Sequence, residues 1–363
     1  MQDEMPEGNG QELKDTEPEG NGRLKLRSYK VVCAKLGLSM CVYFICRIAS
    51  AFVTRYVNSA VHDALGHTAA VALSNTVAVI LIYLIPMLFA AILFNSFKNY
   101  SGGRFKALYE RPRRLARALG TFPAMYGLGY GLALLTFLVS FLITFLTDGQ
   151  IHLEDILQPT AIDPSTDIAS ALGMVFLLVV IAPLFEEIWV RGIMYDALKP
   201  YGVGIAIIIS SLLFGMMHGS LYMLFYTTAL GFALGYVRYA TGSIFIPTII
   251  HAIINSVAAG LLFISALTEI THGDNRMLNT IFNVYILAVL VLIVVGLVSF
   301  FKRIPTIRKY RFENAWSEIS GGKKTALFFI SIPVIIMLVL AINEHLNGYL
   351  LGLLPIFRGG SNA

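Results

Sequence analysis

Charged side chains are scarce in this sequence: Asp, Glu, Lys and Arg make up only 13% of 363 residues. Ordinary soluble domains carry about 25%, so a water-soluble globular fold is excluded. Cysteine is scarcer still. Cys33, Cys41 and Cys46 all fall in one apolar stretch, which gives neither a disulfide framework nor a metal-ligand spacing. They read as small apolar filler. No phosphate loop or dinucleotide fingerprint is present, and the HExxH motif of helical zinc proteases is absent. The first residues are acidic and lack an apolar core, so they do not read as a signal peptide. The short alternating pattern of barrel strands is missing as well.

What the sequence has in abundance is apolar length. Hydrophobic residues make up 56% of the chain, and the mean hydropathy is +0.72. A helix needs roughly 20 apolar residues to cross about 30 Å of hydrocarbon. Nine such stretches can be read, near 33–57, 71–94, 119–146, 169–197, 203–219, 221–238, 243–264, 280–301 and 325–342. Backbone polar groups in lipid must be satisfied within their own segment, so these stretches are expected to be helices. The fold class is therefore all-α, a polytopic membrane helical bundle of eight or nine transmembrane helices with a disordered N-terminal tail.

The net charge of +5 does not point to nucleic acid, because the basic residues are confined to alternate loops. Segment 95–118 holds Lys98, Arg104, Lys106, Arg111, Arg113, Arg114 and Arg117, and segment 302–324 is similarly basic through Lys323 and Lys324. Segment 147–168 has no Lys or Arg and holds Asp148, Glu154, Asp155, Asp163 and Asp167. The positive-inside rule puts both basic loops and the N-terminus in the cytoplasm of a multi-pass cell-membrane protein. Residues 1–30 read as a disordered tail, acidic and then basic. Residues 31–118 read as two flanking helices with a basic loop, 119–264 as a compact helical core with very short connections, and 265–363 as two C-terminal helices.

An ionisable group inside a span costs at least about 2.5 kcal/mol, so each such group calls for an explanation. "EEIWVR" at 186–191 sets Glu187 four residues before Arg191, the favourable order for a helical ion pair. Glu186 is rotated about 100° away and would remain free to take a proton from water. The alternative is that all three form a buried cluster that only fixes helix packing. "FGMMH" places Phe214 and His218 one turn apart, and "HAIIN" does the same for His251 and Asn255. Two imidazoles and an amide supply a proton shuttle and oxyanion donors, as peptide hydrolysis requires. A straight helix starting near 203 would carry His218 towards the opposite face from Glu186, unless it tilts steeply or enters later.

In these three motifs (EExxxR, FxxxH and HxxxN, in that order) the sequence resembles the CPBP family of intramembrane proteases, also called the ABI or type II CAAX prenyl endopeptidase family. The resemblance covers roughly residues 119–264. It implies that Glu186 activates water with help from His218, that His251 and Asn255 stabilise the oxyanion, and that Glu187 and Arg191 support them. The substrate implied is a peptide or membrane-associated protein, possible lipid anchoring included, with no nucleic acid partner. The family carries a metalloprotease label, and Glu186, His218 and His251 would be the ligands if zinc were bound. The missing HExxH motif and the amide of Asn255, a poor zinc ligand but a good oxyanion donor, favour a mechanism without a cofactor. Two other readings stay open. One is a non-catalytic membrane binding or immunity protein; the other is a proton-coupled transporter, although no pair of broken helices repeats in two halves.

Other polar residues have plainer readings. Arg47, mid-helix without a local acid, either pairs with a carboxylate on another helix or snorkels. His62 and His67 are expected to be solvated in an outside loop. The Ser and Lys spacing in "SGGK" at 320–323 is read as chance, and the small residues of "TTALGFALGY" as sites of close helix contact.

Overall fold

The computed structural model describes residues 19–95, 115–146, 168–219, 221–271, 275–309 and 319–345. Most of the 1–30 tail and most of the two interhelical loops with clustered charge therefore lie outside the described residues. Among the described residues there is no strand, and each of the nine apolar stretches is helical. The chain is a polytopic helical bundle. The helices are α1 (Glu19–Leu65), α2 (His67–Leu93), α3 (Phe122–Leu146), α4 (Ile168–Tyr201), α5 (Val203–Met216), α6 (Leu221–Thr241), α7 (Phe245–Ile270), α8 (Arg276–Lys309), α9 (Gly321–Phe329) and α10 (Ile332–His345). Five of them, α1, α2, α4, α7 and α8, are long and apolar enough to cross a membrane by length and composition alone.

α1 runs for 47 residues, well beyond the 33–57 expected. Hydropathy marks where lipid ends, whereas a helix can continue into water for as long as its own hydrogen bonds persist. A single residue, Gly66 at φ 82°, separates α1 from α2. The expected outside loop around His62 and His67 is thus a tight turn, in which His62 closes α1, His67 opens α2 and their rings lie 6.0 Å apart.

α1 buries one stripe, Tyr29, Cys33, Leu36, Met40 and Phe44, at the three- and four-residue spacing of a single helix face. Close packing stands in here for the hydrophobic drive that lipid does not supply. Gly37 lies so near α10 that a Cβ there would come within 2.5 Å of the Val334 nitrogen. α9 and α10 meet at a 72° bend, so the expected span 325–342 is broken. Pro333 stands in the first turn of α10, where a missing N–H costs nothing. Lys324, expected in a basic cytoplasmic loop, is instead buried in α9. Its Nζ donates to Tyr201 O at 2.8 Å, capping the end of α4, while the Tyr29 hydroxyl donates to Lys324 O at 2.9 Å. Ser320 caps α9 by accepting the Lys323 backbone N–H, which is a structural use of the "SGGK" spacing.

α5 and α6 form an antiparallel hairpin. Gly215 faces Thr228, Gly231 faces Ser211 and Gly235 faces Ile207, and a Cβ on Gly231 would sit 3.0 Å from Ser211 Cα. The small residues of α6 are therefore sites of close contact, as expected. α5 has only 14 residues, about 21 Å, short of the roughly 30 Å of hydrocarbon. Glu186 and His218 are equidistant in sequence from Gly202, just past the Lys199–Tyr201 turn, and the Phe214 ring of α5 meets the imidazoles of both His218 and His251.

Candidate active site

The middle of α4 is irregular. π-helical turns at Leu177–Ile181 and Ile188–Met194 flank the short α-helical segment Ala182–Glu187 that carries both glutamates. The first π turn uses the Ala182 N–H on Leu177 O, and Pro183 has no N–H to offer. The Leu178 carbonyl is thereby left without a backbone donor. Asn255 of α7 fills the vacancy, its Nδ2 donating to Leu178 O at 2.9 Å. An amide nitrogen carries two hydrogens, so the second remains for another acceptor. π turns concentrate at functional sites because they reorient side chains.

Glu187 and Arg191 are fully buried and paired, Arg191 Nε to Glu187 Oε2 at 3.1 Å. Arg191 also donates from Nη2 to Gly231 O of α6 at 3.0 Å and stacks over the Phe214 ring of α5 at 4.6 Å. One guanidinium thus ties α4 to both arms of the hairpin. The other oxygen of Glu187, Oε1, accepts from His251 Nδ1 at 3.1 Å. A carboxylate can only accept, so Nδ1 carries the hydrogen and Nε2 is the acceptor nitrogen of the neutral ring. That Nε2 lies 3.8 Å from Glu186 Oε2. The separation is too long for a hydrogen bond, and a water bridging the two atoms would sit to one side of the line between them.

Glu186 is 7% exposed and faces His251 Nε2 instead of Arg191. The Tyr83 hydroxyl of α2 also lies close enough to interact with the carboxylate. His218 stands just past the end of α5, half-buried, with Nδ1 on Phe214 O at 2.8 Å. The carbonyl is an acceptor, so here too the hydrogen is on Nδ1 and Nε2 is the basic nitrogen. The Phe214 ring meets the imidazole of His218 at 4.8 Å and that of His251 at 5.5 Å, both edge-on.

The structure therefore gathers Glu186, Glu187, Arg191 and His251 directly, and links His218 to them through Phe214. Asn255 sits one turn from His251 with its amide on α4. The imidazole nearest Glu186 is that of His251, not the His218 the resemblance pairs with it. Among the described residues no group of three or more His, Cys, Asp or Glu side chains is placed to hold a metal ion, while His218 and His251 both keep Nε2 as the acceptor nitrogen with Nδ1 engaged. Three neighbours were missed at the level of sequence. Tyr83 and Tyr43 carry no signal, being two of 17 tyrosines in an apolar chain. Arg47 did carry one, and its Nη1 donates to Met217 O at 2.8 Å.

Residues 168–257 match a family model described as type II CAAX prenyl endopeptidase Rce1-like. The match takes in all three motifs and excludes Tyr43, Arg47 and Tyr83. No curated protein and no solved structure matches the chain.

Proposed function

We propose that this chain, a multi-pass membrane protein whose residues 168–257 form an Rce1-like domain, is an intramembrane endopeptidase that hydrolyses a peptide bond near the cytoplasmic face. The observation that carries the reading is the division of labour between adjacent glutamates: Glu187 is consumed by Arg191 and His251, while Glu186 keeps an oxygen facing His251 Nε2. Water held in that gap loses a proton to Glu186 and attacks the scissile carbonyl. The oxyanion is met by the free amide hydrogen of Asn255 and by His251, whose Nε2 receives from Glu186 the proton taken from water, and such a donor can be worth about 3 to 4 kcal/mol in the transition state. As the oxyanion collapses, that same proton is carried to the leaving amine through the basic Nε2 of His218.

The chemistry needs no cofactor. The basic loops 95–118 and 302–324 support a cytoplasmic N-terminus. The substrate class is a peptide or a membrane-associated protein, lipid-anchored substrates included. Arg191, which reaches three helices, favours a second reading in which the polar cluster only locks the bundle.

The test is hydrolysis of a peptide library, with and without prenylated members, by the purified full-length chain in proteoliposomes. Glu186→Gln is expected to cut kcat by about 10²- to 10⁴-fold, the usual worth of a general base, with thermal stability retained. Wild-type turnover in Glu186→Gln would sink the mechanism. Activity removed by a chelator and restored by zinc would overturn the cofactor-free chemistry.

A further inference from the structure

Arg47 is an intramembrane cation that the reaction above does not use, on a helix outside the matched domain. α5 is too short to cross a membrane, and the carbonyls at a helix C-terminus lack intrahelical donors. In the turn that follows it, the carbonyl at issue is Met217 O. Two α1 side chains converge on it: the Tyr43 hydroxyl donates at 2.5 Å and Arg47 Nη1 at 2.8 Å, and Arg47 Nη1 also donates to the Tyr43 oxygen at 3.1 Å. Both lone pairs of one carbonyl are thereby engaged, and the cation stands at the negative end of the α5 dipole. The Tyr43 ring packs on Trp189 of α4 at 5.4 Å, so the same pair leans on the glutamate helix as well.

The carbonyl they hold belongs to the peptide unit whose nitrogen is that of His218. A peptide unit is rigid and planar, so fixing Met217 O fixes the plane from which the His218 side chain departs. The next residue is Gly219 at φ 64°, a conformation with little intrinsic stiffness. Beyond the clamp, the side chain of His218 is held to α5 by its Nδ1 contact with Phe214 O and by packing on the Phe214 ring.

We infer that Arg47 and Tyr43 of α1 are positioning residues that set the depth and aim of His218 by clamping the Met217 carbonyl, so that the active site is incomplete without the first helix. This rests on the peptidase reading for its kinetic consequences only.

The experiment compares the full-length wild type with Arg47→Gln, Arg47→Lys and Tyr43→Phe in proteoliposomes. Misplacing a catalytic group by about 1 Å can cost 10²-fold in rate. Arg47→Gln is therefore expected to lower kcat about 10- to 100-fold with KM unchanged, and Tyr43→Phe less. Arg47→Lys keeps a donor for the carbonyl and is expected to recover part of the loss. The deciding measurement is the cycle with His218→Ala: once the imidazole is gone, Arg47→Gln is expected to cost nothing further. An equal loss in both backgrounds, or a rise in KM alone, would overturn the inference and leave Arg47 a plain helix cap. A second readout needs no turnover. The rate of His218 carbethoxylation by diethylpyrocarbonate, followed by peptide mass spectrometry, is expected to rise several-fold in Arg47→Gln. An unchanged rate overturns the clamp even if the wild type cleaves nothing, and a raised rate in a wild type without activity sinks only the peptidase reading.

Discussion

Two arginines reach the α5–α6 hairpin from other helices, and they belong to different parts of the bundle. Arg191 sits on α4 inside the matched domain, fully buried, with its own acid one turn earlier and a carbonyl of α6 as a further acceptor. Arg47 sits on α1, partly exposed, with the Met217 carbonyl just past α5 as an acceptor. Both grip the same short hairpin, Arg191 at Gly231 and Arg47 at Met217. The difference between them is one of cost. The Arg191 charge is neutralised by an acid on its own helix, whereas Arg47 is met by a carbonyl at a helix end and by a hydroxyl. α5 is too short to span the membrane by itself, and these two cations, from the matched domain and from outside it, tie its hairpin to the neighbouring helices.

The sharpest way to break the comparison is to remove the cation from the deep pair. Arg191→Met leaves Glu187 buried without its cation, held by the His251 Nδ1 hydrogen bond, and is expected to destabilise the protein by about 3 to 5 kcal/mol, read as lost thermal stability in detergent. Adding Glu187→Gln is expected to recover much of that loss, because no bare charge remains. If the single and double variants melt alike, the pair is not what locks α4 to the hairpin.

A smaller effect separates packing from chemistry at Asn255. Asn255→Leu orphans the Leu178 carbonyl, for an expected stability loss of about 1 to 3 kcal/mol, and also removes the amide hydrogen proposed for the oxyanion. Its kcat should fall further than that of an equally destabilised variant elsewhere; if rate merely tracks stability, the amide is only a brace for the π turn.

The smallest expected effect lies at the far end of the flanking region. Ser320→Ala deletes the α9 cap, for about 1 kcal/mol of stability, with kcat and KM unchanged. A kinetic change there would tie the C-terminal helices to the site more closely than their contacts suggest.

Much of this arrangement was legible along the chain. The nine helical stretches follow from apolar length, and Glu187 with Arg191 follows from helical spacing. Other features could not be read that way. The π turn at 177–181 leaves the Leu178 carbonyl open only because a wide turn and Pro183 coincide, and hydropathy does not register hydrogen-bond frame. α5 was expected to run to 219, yet its helix ends at Met216, with Gly219 in the left-handed region three residues on. Lys324 reads as a loop lysine by charge, but an unpaired carbonyl at the end of α4 draws it inside. Tyr83 is indistinguishable from its apolar surroundings until α2 is placed beside α4.

By itself, the sequence determined that this protein is a bundle of membrane helices and which polar residues those helices carry. Lipid offers no partner to a bare peptide group, so a long apolar stretch has little choice but to form its own hydrogen bonds. Only the tertiary structure decided what each polar residue serves. Helix ends, π turns and prolines leave particular carbonyls and carboxylates unmatched, and which side chain answers each depends on neighbours remote in sequence. That is how adjacent glutamates came to differ, one locked against Arg191 and the other left facing an imidazole.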